Sequence, residues 1–256
     1  MPAAWVAHHM TGVWAANVAP TAVASASPNP VTTSLDVITL TGTASTDPAP
    51  GTLRSYLWEY VSGDRTGAFA DTAAGQTTFT PAPDPVSDTF NRADSATTMG
   101  TTVVGAKTWT PNSNTWGISS NQAYLASATG SGNQATTVVT TDWANVKVKG
   151  TYAAAGDSGV CVRSVDDANN FFTSTVTSGS EFWTRVGGGF TSLATFAALA
   201  AGDIVEVEMN GTTFTVRVNN VQVATGTNSA RTTATKHGLR INVTSARWDD
   251  WSATGV

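Results

Sequence analysis

The 256-residue sequence has one cysteine, so no internal disulfide can staple the fold and stability must come from packing. That residue, Cys161, sits in Gly159-Val160-Cys161-Val162-Arg163, which reads as a strand with the thiol at a core position. No His lies near it in sequence, and a nucleophilic role is not supported. Charged residues make up only 12% of the chain, with a net charge of -5, and no run of Lys or Arg exists that could track a phosphate backbone. Nucleic acid is therefore excluded as a partner. No segment approaches the ~18 consecutive apolar residues of a membrane span, and residues 1–20 lack the cationic start and continuous apolar stretch of a secretion signal. The expectation is synthesis in the cytosol with no membrane partner. Good helix formers are also few, with four Lys, four Glu and four Met.

What the chain does contain is β-branched Thr and Val, hydrophobic residues at 41% and nine Trp, with Gly and Pro spread along its length. This composition predicts an ordered all-β protein. Strand-like runs recur every 8 to 12 residues from 115 to 252, the spacing of a large sandwich. Val205, Val207 and Met209, then Phe214, Val216 and Val218, alternate with polar residues around Asn210-Gly211, the strongest short hairpin signal. Asn219-Asn220 then turns the chain into Val221-Gln222-Val223, completing a meander. Gly187-Gly188-Gly189 has no Lys-Ser/Thr after it and reads as a hairpin turn, not a phosphate loop. Upstream, runs at 31–40, 53–61 and 77–80 are broken by turn residues, and 81–85, Pro-Ala-Pro-Asp-Pro, reads as a stiff linker. Four segments follow: an N-terminal segment at 1–18, a small domain at 19–83, a Pro-rich linker at 84–87 and a larger domain at 88–256. Trp5 and Trp14 are costly to leave in water, so the first segment either packs back on a domain or docks on a partner. Docking is the favoured expectation.

The small domain resembles the polycystic-kidney-disease type of immunoglobulin-like domain. The resemblance lies in Ser27-Pro28-Asn29-Pro30-Val31, in 41–48 (Thr-Gly-Thr-Ala-Ser-Thr-Asp-Pro), in Ser55-Tyr56-Leu57-Trp58-Glu59, and in Val61-Ser62-Gly63 before Thr-Phe-Thr-Pro at 78–81. It implies that Trp58 packs in a sandwich core. The larger domain is similar to the concanavalin A-like, laminin-G-like jelly rolls of carbohydrate-binding modules and of tail proteins of actinobacterial phages. The carriers are 88–94 (Asp-Thr-Phe-Asn-Arg-Ala-Asp), 115–119 with 122–125, 158–163, 167–172, 202–208 and the closing Ala246-Arg247-Trp248-Asp249-Asp250-Trp251. The fold class read here is thus an immunoglobulin-like sandwich followed by a concanavalin A-like jelly roll. This resemblance implies a non-enzymatic virion surface protein, a minor tail or capsid decoration protein, attached to other virion proteins through its N-terminal segment. It would contact host cell-wall glycans through the jelly roll, and a homo-oligomer stays open. A secreted bacterial carbohydrate-binding module and a jelly-roll glycosidase are the alternatives.

For catalysis on sugars two carboxylates must face each other across a cleft. The acidic strand of the family's glycosidases, Glu-x-Asp-x-x-Glu, is absent, and Glu206 and Glu208 alternate with Val205 and Val207, which places them on a solvent face. No Gly-x-Ser-x-Gly occurs near any of the three His, which excludes an acyl-transfer triad. Sugar recognition needs an aromatic plane with planar polar groups beside it, and Arg163, Phe171, Trp183 and Arg185, with Phe172, are the candidates. If the first and last strands pair, Asp88 can meet Asp249 or Asp250 and hold a structural calcium. The alternative is that Asp88 and Asp94 cap turns and pair with Arg92 or Arg247.

Overall fold

Apolar residues that recur every second position have to face one way, and strands that carry such a stripe must stack in pairs to bury it. The computed structural model describes residues 4–7, 21–27, 37–47, 56–62, 67–81, 85–128, 135–176 and 178–256, and among them every regular element is a strand. Two compact units divide the chain, Met1–Asp84 and Pro85–Val256.

In the first unit β2 (Ser25–Ser27), β3 (Ile38–Thr41), β6 (Gln76–Pro81) and β5 (Gly67–Phe69) form a four-stranded antiparallel sheet, in that order. A second, two-stranded sheet joins β1 (Ala4–Ala7) to β4 (Trp58–Ser62). Trp58, 2% exposed, closes a small core with Ile38, Leu40 and Phe79, and its indole Nε1 donates to the Ala74 carbonyl at 2.8 Å. The pairing of β1 alters the expectation for the N-terminal segment. Trp5 stands opposite Tyr60 in the register, so residues 4–7 pair with a strand of the same unit. Trp14 lies outside the described residues.

The second unit is a sandwich of two antiparallel sheets closed as a jelly roll. One sheet runs β19 (Val221–Thr227), β18 (Thr213–Val218), β17 (Ile204–Asn210), β12 (Val146–Ala154), β21 (Arg247–Gly255), β10 (Gln122–Ser127) and β9 (Thr115–Ser119), with β7 (Val86–Asp88) also on β21. Its partner sheet runs β16 (Gly189–Phe196), β15 (Gly179–Val186), β14 (Asn169–Val176), β13 (Ser158–Asp166), β20 (Lys236–Ile241), β11 (Ala135–Thr140) and β8 (Thr110–Pro111). Both predicted turns of the meander are present. Gly211-Thr212, one residue on from the predicted Asn210-Gly211, joins β17 to β18, with Asn210 paired to Thr213 and Gly211 at φ 55°, and Asn219-Asn220 joins β18 to β19 with φ of 51° and 66°, the two left-handed residues a type I′ turn requires.

Val146 and Val148 of β12, Val205, Val207 and Met209 of β17 and Phe214 and Val216 of β18 all point into the sandwich. Trp116, Trp248 and Trp251 fill its centre at 0% exposure, and a buried Trp of this kind is worth about 3–5 kcal/mol against truncation to Ala. The opposite face of β12, β17 and β18 carries charge. There Glu206 and Glu208 meet Arg217 at 2.9 and 2.8 Å, with Lys147 at 3.9 and 3.7 Å, so these two carboxylates belong to a cross-strand ion-pair ladder, as their alternation predicts.

Candidate functional site

The outer face of the seven-stranded sheet is the other surface, and its residues follow from the strand register, since directly paired residues share a face. Phe172 of β14 pairs with Trp183 of β15, and Ser174 pairs with Glu181, which pairs in turn with Thr195 of β16. On β13 and β20 the same face is set by Cys161 opposite Phe172 and by Gly159 opposite Arg240. Phe172, Ser174, Glu181, Trp183, Thr195 and Arg240 line a cleft of about 630 Å³, whose walls also include Asp157, Ser180, Phe190 and Phe196.

Three aromatic rings shape its apolar part. Phe190, 47% exposed, stands edge-on to both Phe172 and Trp183, with centroids 6.3 Å apart in each case and interplanar angles of 90° and 85°. Edge-to-face packing of this kind fixes ring orientation. Arg240 lies over the Phe172 ring at 4.8 Å and forms the polar part with Asp157. Its guanidinium binds that carboxylate through both terminal nitrogens, Nη2 to Oδ2 at 2.9 Å and Nη1 to Oδ1, while Ser174 Oγ donates to Asp157 at 2.6 Å and Asn242 Nδ2 at 2.9 Å. Burial would raise the Asp157 pKa, but the hydrogen bonds and charge of Arg240, with those of Ser174 and Asn242, outweigh it and hold the carboxyl below its ordinary value. Asp157 is thus kept ionised. Cys161 is a correction to the core position its strand suggested: it stands on the Phe172 side of β13 while Val160 and Val162 face the core, yet it is fully buried, and desolvation pushes its thiol up to about 12, as expected of an inert cysteine.

The sequence candidates divide on this frame. Trp183 lines the cleft. Arg185 shares the strand and face of Trp183 but lies at its end, stacked over Phe190 at 4.7 Å, where Nη1 donates to the Asp167 carbonyl and Nε to that of Gly188. Phe171 is a correction: it pairs with Thr184, which puts it on the opposite face from Trp183, where it stacks on Phe182 in the core. Arg163 is another. Alternation from Gly159 and Cys161 would aim it outward, but its φ of 46° breaks the strand register, and the side chain is fully buried. Its guanidinium donates to the Ala144 carbonyl at 2.8 Å, the Gly211 carbonyl at 2.7 Å and Asn145 Oδ1 at 3.1 Å, tying β13 to two loops of the other sheet.

The calcium expectation is corrected too. β7 does pair with β21, but the register sets Asp88 opposite Trp251, and Asp250, next along the strand, is exposed while Asp88 is fully buried. Every oxygen of Asp88 is already engaged, by Arg92 at 2.9 and 2.6 Å, by Trp109 Nε1 at 2.6 Å and by the Phe90 amide at 2.9 Å. The residue is an ion-paired turn anchor. Sequence reasoning missed Asp157, Arg240 and Phe190. A strand after the Gly187–Gly189 turn was the available signal for Phe190, because a hairpin turn implies one.

No protein-family model and no curated protein matches the sequence. Among solved structures, a carbohydrate-binding module, CBM66, from Bacillus subtilis is similar at 14% identity and a TM-score of 0.43, over 57% of this chain and 91% of that one. A prokaryotic β-1,3-1,4-glucanase (lichenase) from a mouse hindgut metagenome is similar at 8% identity and a TM-score of 0.46, over 67% and 98%. The Caenorhabditis elegans galectin LEC-6 gives 13% identity and a TM-score of 0.37, over 46% and 86%. At these values the likeness carries no argument about ligand or activity, which has to come from the cleft.

Proposed function

We propose that the chain is a non-enzymatic glycan-binding protein whose jelly roll takes saccharide in the cleft on the outer face of its seven-stranded sheet. The observation that carries this reading is the meeting of aromatic and polar groups there. Trp183 and Phe190 supply apolar ring surface, with the buried Phe172 backing them, and Glu181 and Thr195 supply carboxylate and hydroxyl groups at the next cross-strand pair on the same face. A pyranose presents the same combination, an apolar C–H face bordered by hydroxyls. The absence of hydrolysis in the proposal rests on Asp157. Arg240 keeps Asp157 from holding a proton as a general acid must, and by binding both of its carboxylate oxygens leaves neither free to attack as a nucleophile.

The finer reading is a virion surface protein of the minor tail or capsid decoration kind, displaying the jelly roll toward host cell-wall glycans, and it rests on the motif resemblance described for both domains. Binding of purified cell-wall polysaccharide, measured by titration calorimetry, tests the cleft. Trp183→Ala is expected to lower affinity about tenfold. Because Trp183 is only half-buried on an outer face, the melting temperature is expected to move by less than about 3 °C. Undiminished binding by this variant would remove the cleft from the proposal.

A further inference from the structure

The charges in the cleft do not cancel, and the imbalance is placed where a ligand would meet it. Arg240 is the cation of the lining, and it is closed to a ligand: its side chain is 2% exposed, both terminal nitrogens are held by Asp157, and its Nε is buried. Arg240 and Asp157 therefore neutralise each other within the wall. Glu181 is different. It is half-buried, it lines the cleft, its cross-strand neighbours are Ser174 and Thr195, and it makes no ion pair among the described residues. The next cation on its strand face, Arg185, is four residues away and donates to the Asp167 and Gly188 carbonyls. The open part of the site thus carries one uncompensated negative charge.

Its position relative to the rings gives that charge a use. Glu181 and Trp183 are two residues apart on one strand, so their side chains rise from the same face about 7 Å apart, roughly the width of one sugar ring. A ring lying on the indole would place a substituent against the carboxylate. An ammonium there gains an ion pair with Glu181 and faces the aromatic surface of Trp183, whereas a phosphate or carboxylate meets like charge with no exposed cation to offset it.

Resting on the reading of the cleft as the saccharide site, we infer that it selects glycans bearing free amino groups and rejects those bearing phosphate or carboxylate. The test titrates three hexasaccharide probes into the full chain at low ionic strength: glucosamine, N-acetylglucosamine and galacturonic acid oligomers. The glucosamine oligomer binds best, the galacturonate oligomer worst, and raising the salt narrows the gap. Glu181→Gln lowers affinity for the glucosamine oligomer about fivefold more than for the acetylated oligomer, the scale of a half-exposed ion pair, so the ratio between the two probes collapses. Glu181→Lys reverses the order of the charged probes, which keeps the test decisive if the Gln variant is poorly folded. Equal binding of the amino and acetylated probes, or preference for galacturonate by the unaltered protein, overturns the charge selectivity while leaving the cleft in place, provided Trp183→Ala still weakens binding. Loss of that Trp183 dependence, or no binding of any probe, overturns both.

Discussion

Replacing Arg163 removes a side chain that reaches from β13 to the loops before β12 and after β17, and the outcome depends on which of two opposed effects is larger. Against the arginine stands the cost of a buried cation: no carboxylate pairs with it among the described residues, and desolvation lowers its pKa. In its favour stand three acceptors at 2.7 to 3.1 Å. Asn145 Oδ1 keeps the Gly211 amide at 2.9 Å after the change, but the Ala144 and Gly211 carbonyls each lose a donor, at about 1–3 kcal/mol apiece when buried. Arg163→Met keeps most of the stem volume and isolates this polar contribution, with an expected net loss of about 3 kcal/mol. Arg163→Ala adds a cavity and should lose more. A loss of that size lowers the melting temperature of a domain this large by about 6–12 °C, read through the emission of Trp116, Trp248 and Trp251. A methionine variant as stable as the parent would refute the reasoning and show that the desolvation cost is the larger.

Two further outcomes are expected. His237 is fully buried, its Nδ1 accepting the Arg163 amide at 3.1 Å and its Nε2 2.9 Å from the Trp143 carbonyl, and burial lowers its pKa from 6.5 to about 4. The unfolded chain therefore binds a proton that the folded chain refuses, so stability falls as pH drops from about 6.5 to about 4, by about 3 kcal/mol from this group. Denaturant titrations across that window should show a steeper pH dependence for the parent than for His237→Gln; equal slopes would remove His237 as the cause. Asp88→Ala leaves the Arg92 guanidinium and the Trp109 indole without their acceptor and is expected to cost about 3–5 kcal/mol, with a shift in Trp109 emission, while added calcium or a chelator leaves the parent's melting temperature unchanged. A calcium-dependent rise in melting temperature would contradict the account of Asp88.

The order and inward faces of β17 and β18 were legible, because alternation around Asn210-Gly211 decides which residues face the core, but the shift between Val216 and Arg217 in the β18–β19 register was not. β16 was not. Its residues, from Gly189 to Phe196, are exposed or half-buried on both sides, and the register shifts opposite Phe182 and Trp183, so no period of two survives for a reader to find. Of the adjacent pair Phe171 and Phe172, alternation says only that they face opposite ways; the register against β15 decides which one joins Trp183. Arg163 followed the alternation of its strand up to the residue where a left-handed φ ended it. The Asp157 and Arg240 pair is 83 residues apart in sequence, and neither local pattern nor spacing announces a contact created by the β13–β20 pairing.

The pairing of β7 with β21 determines how the jelly roll answers a pull. Val86 stands opposite Ala253, so the point where the chain enters this unit and the point where it leaves lie side by side on antiparallel strands. Tension applied across them loads the hydrogen bonds between these strands one after another, like a zipper opened from its end, instead of stressing them all at once in shear. The three-residue β7 would peel away at modest force, while the cleft, on the other sheet and away from that seam, would keep its shape until much later.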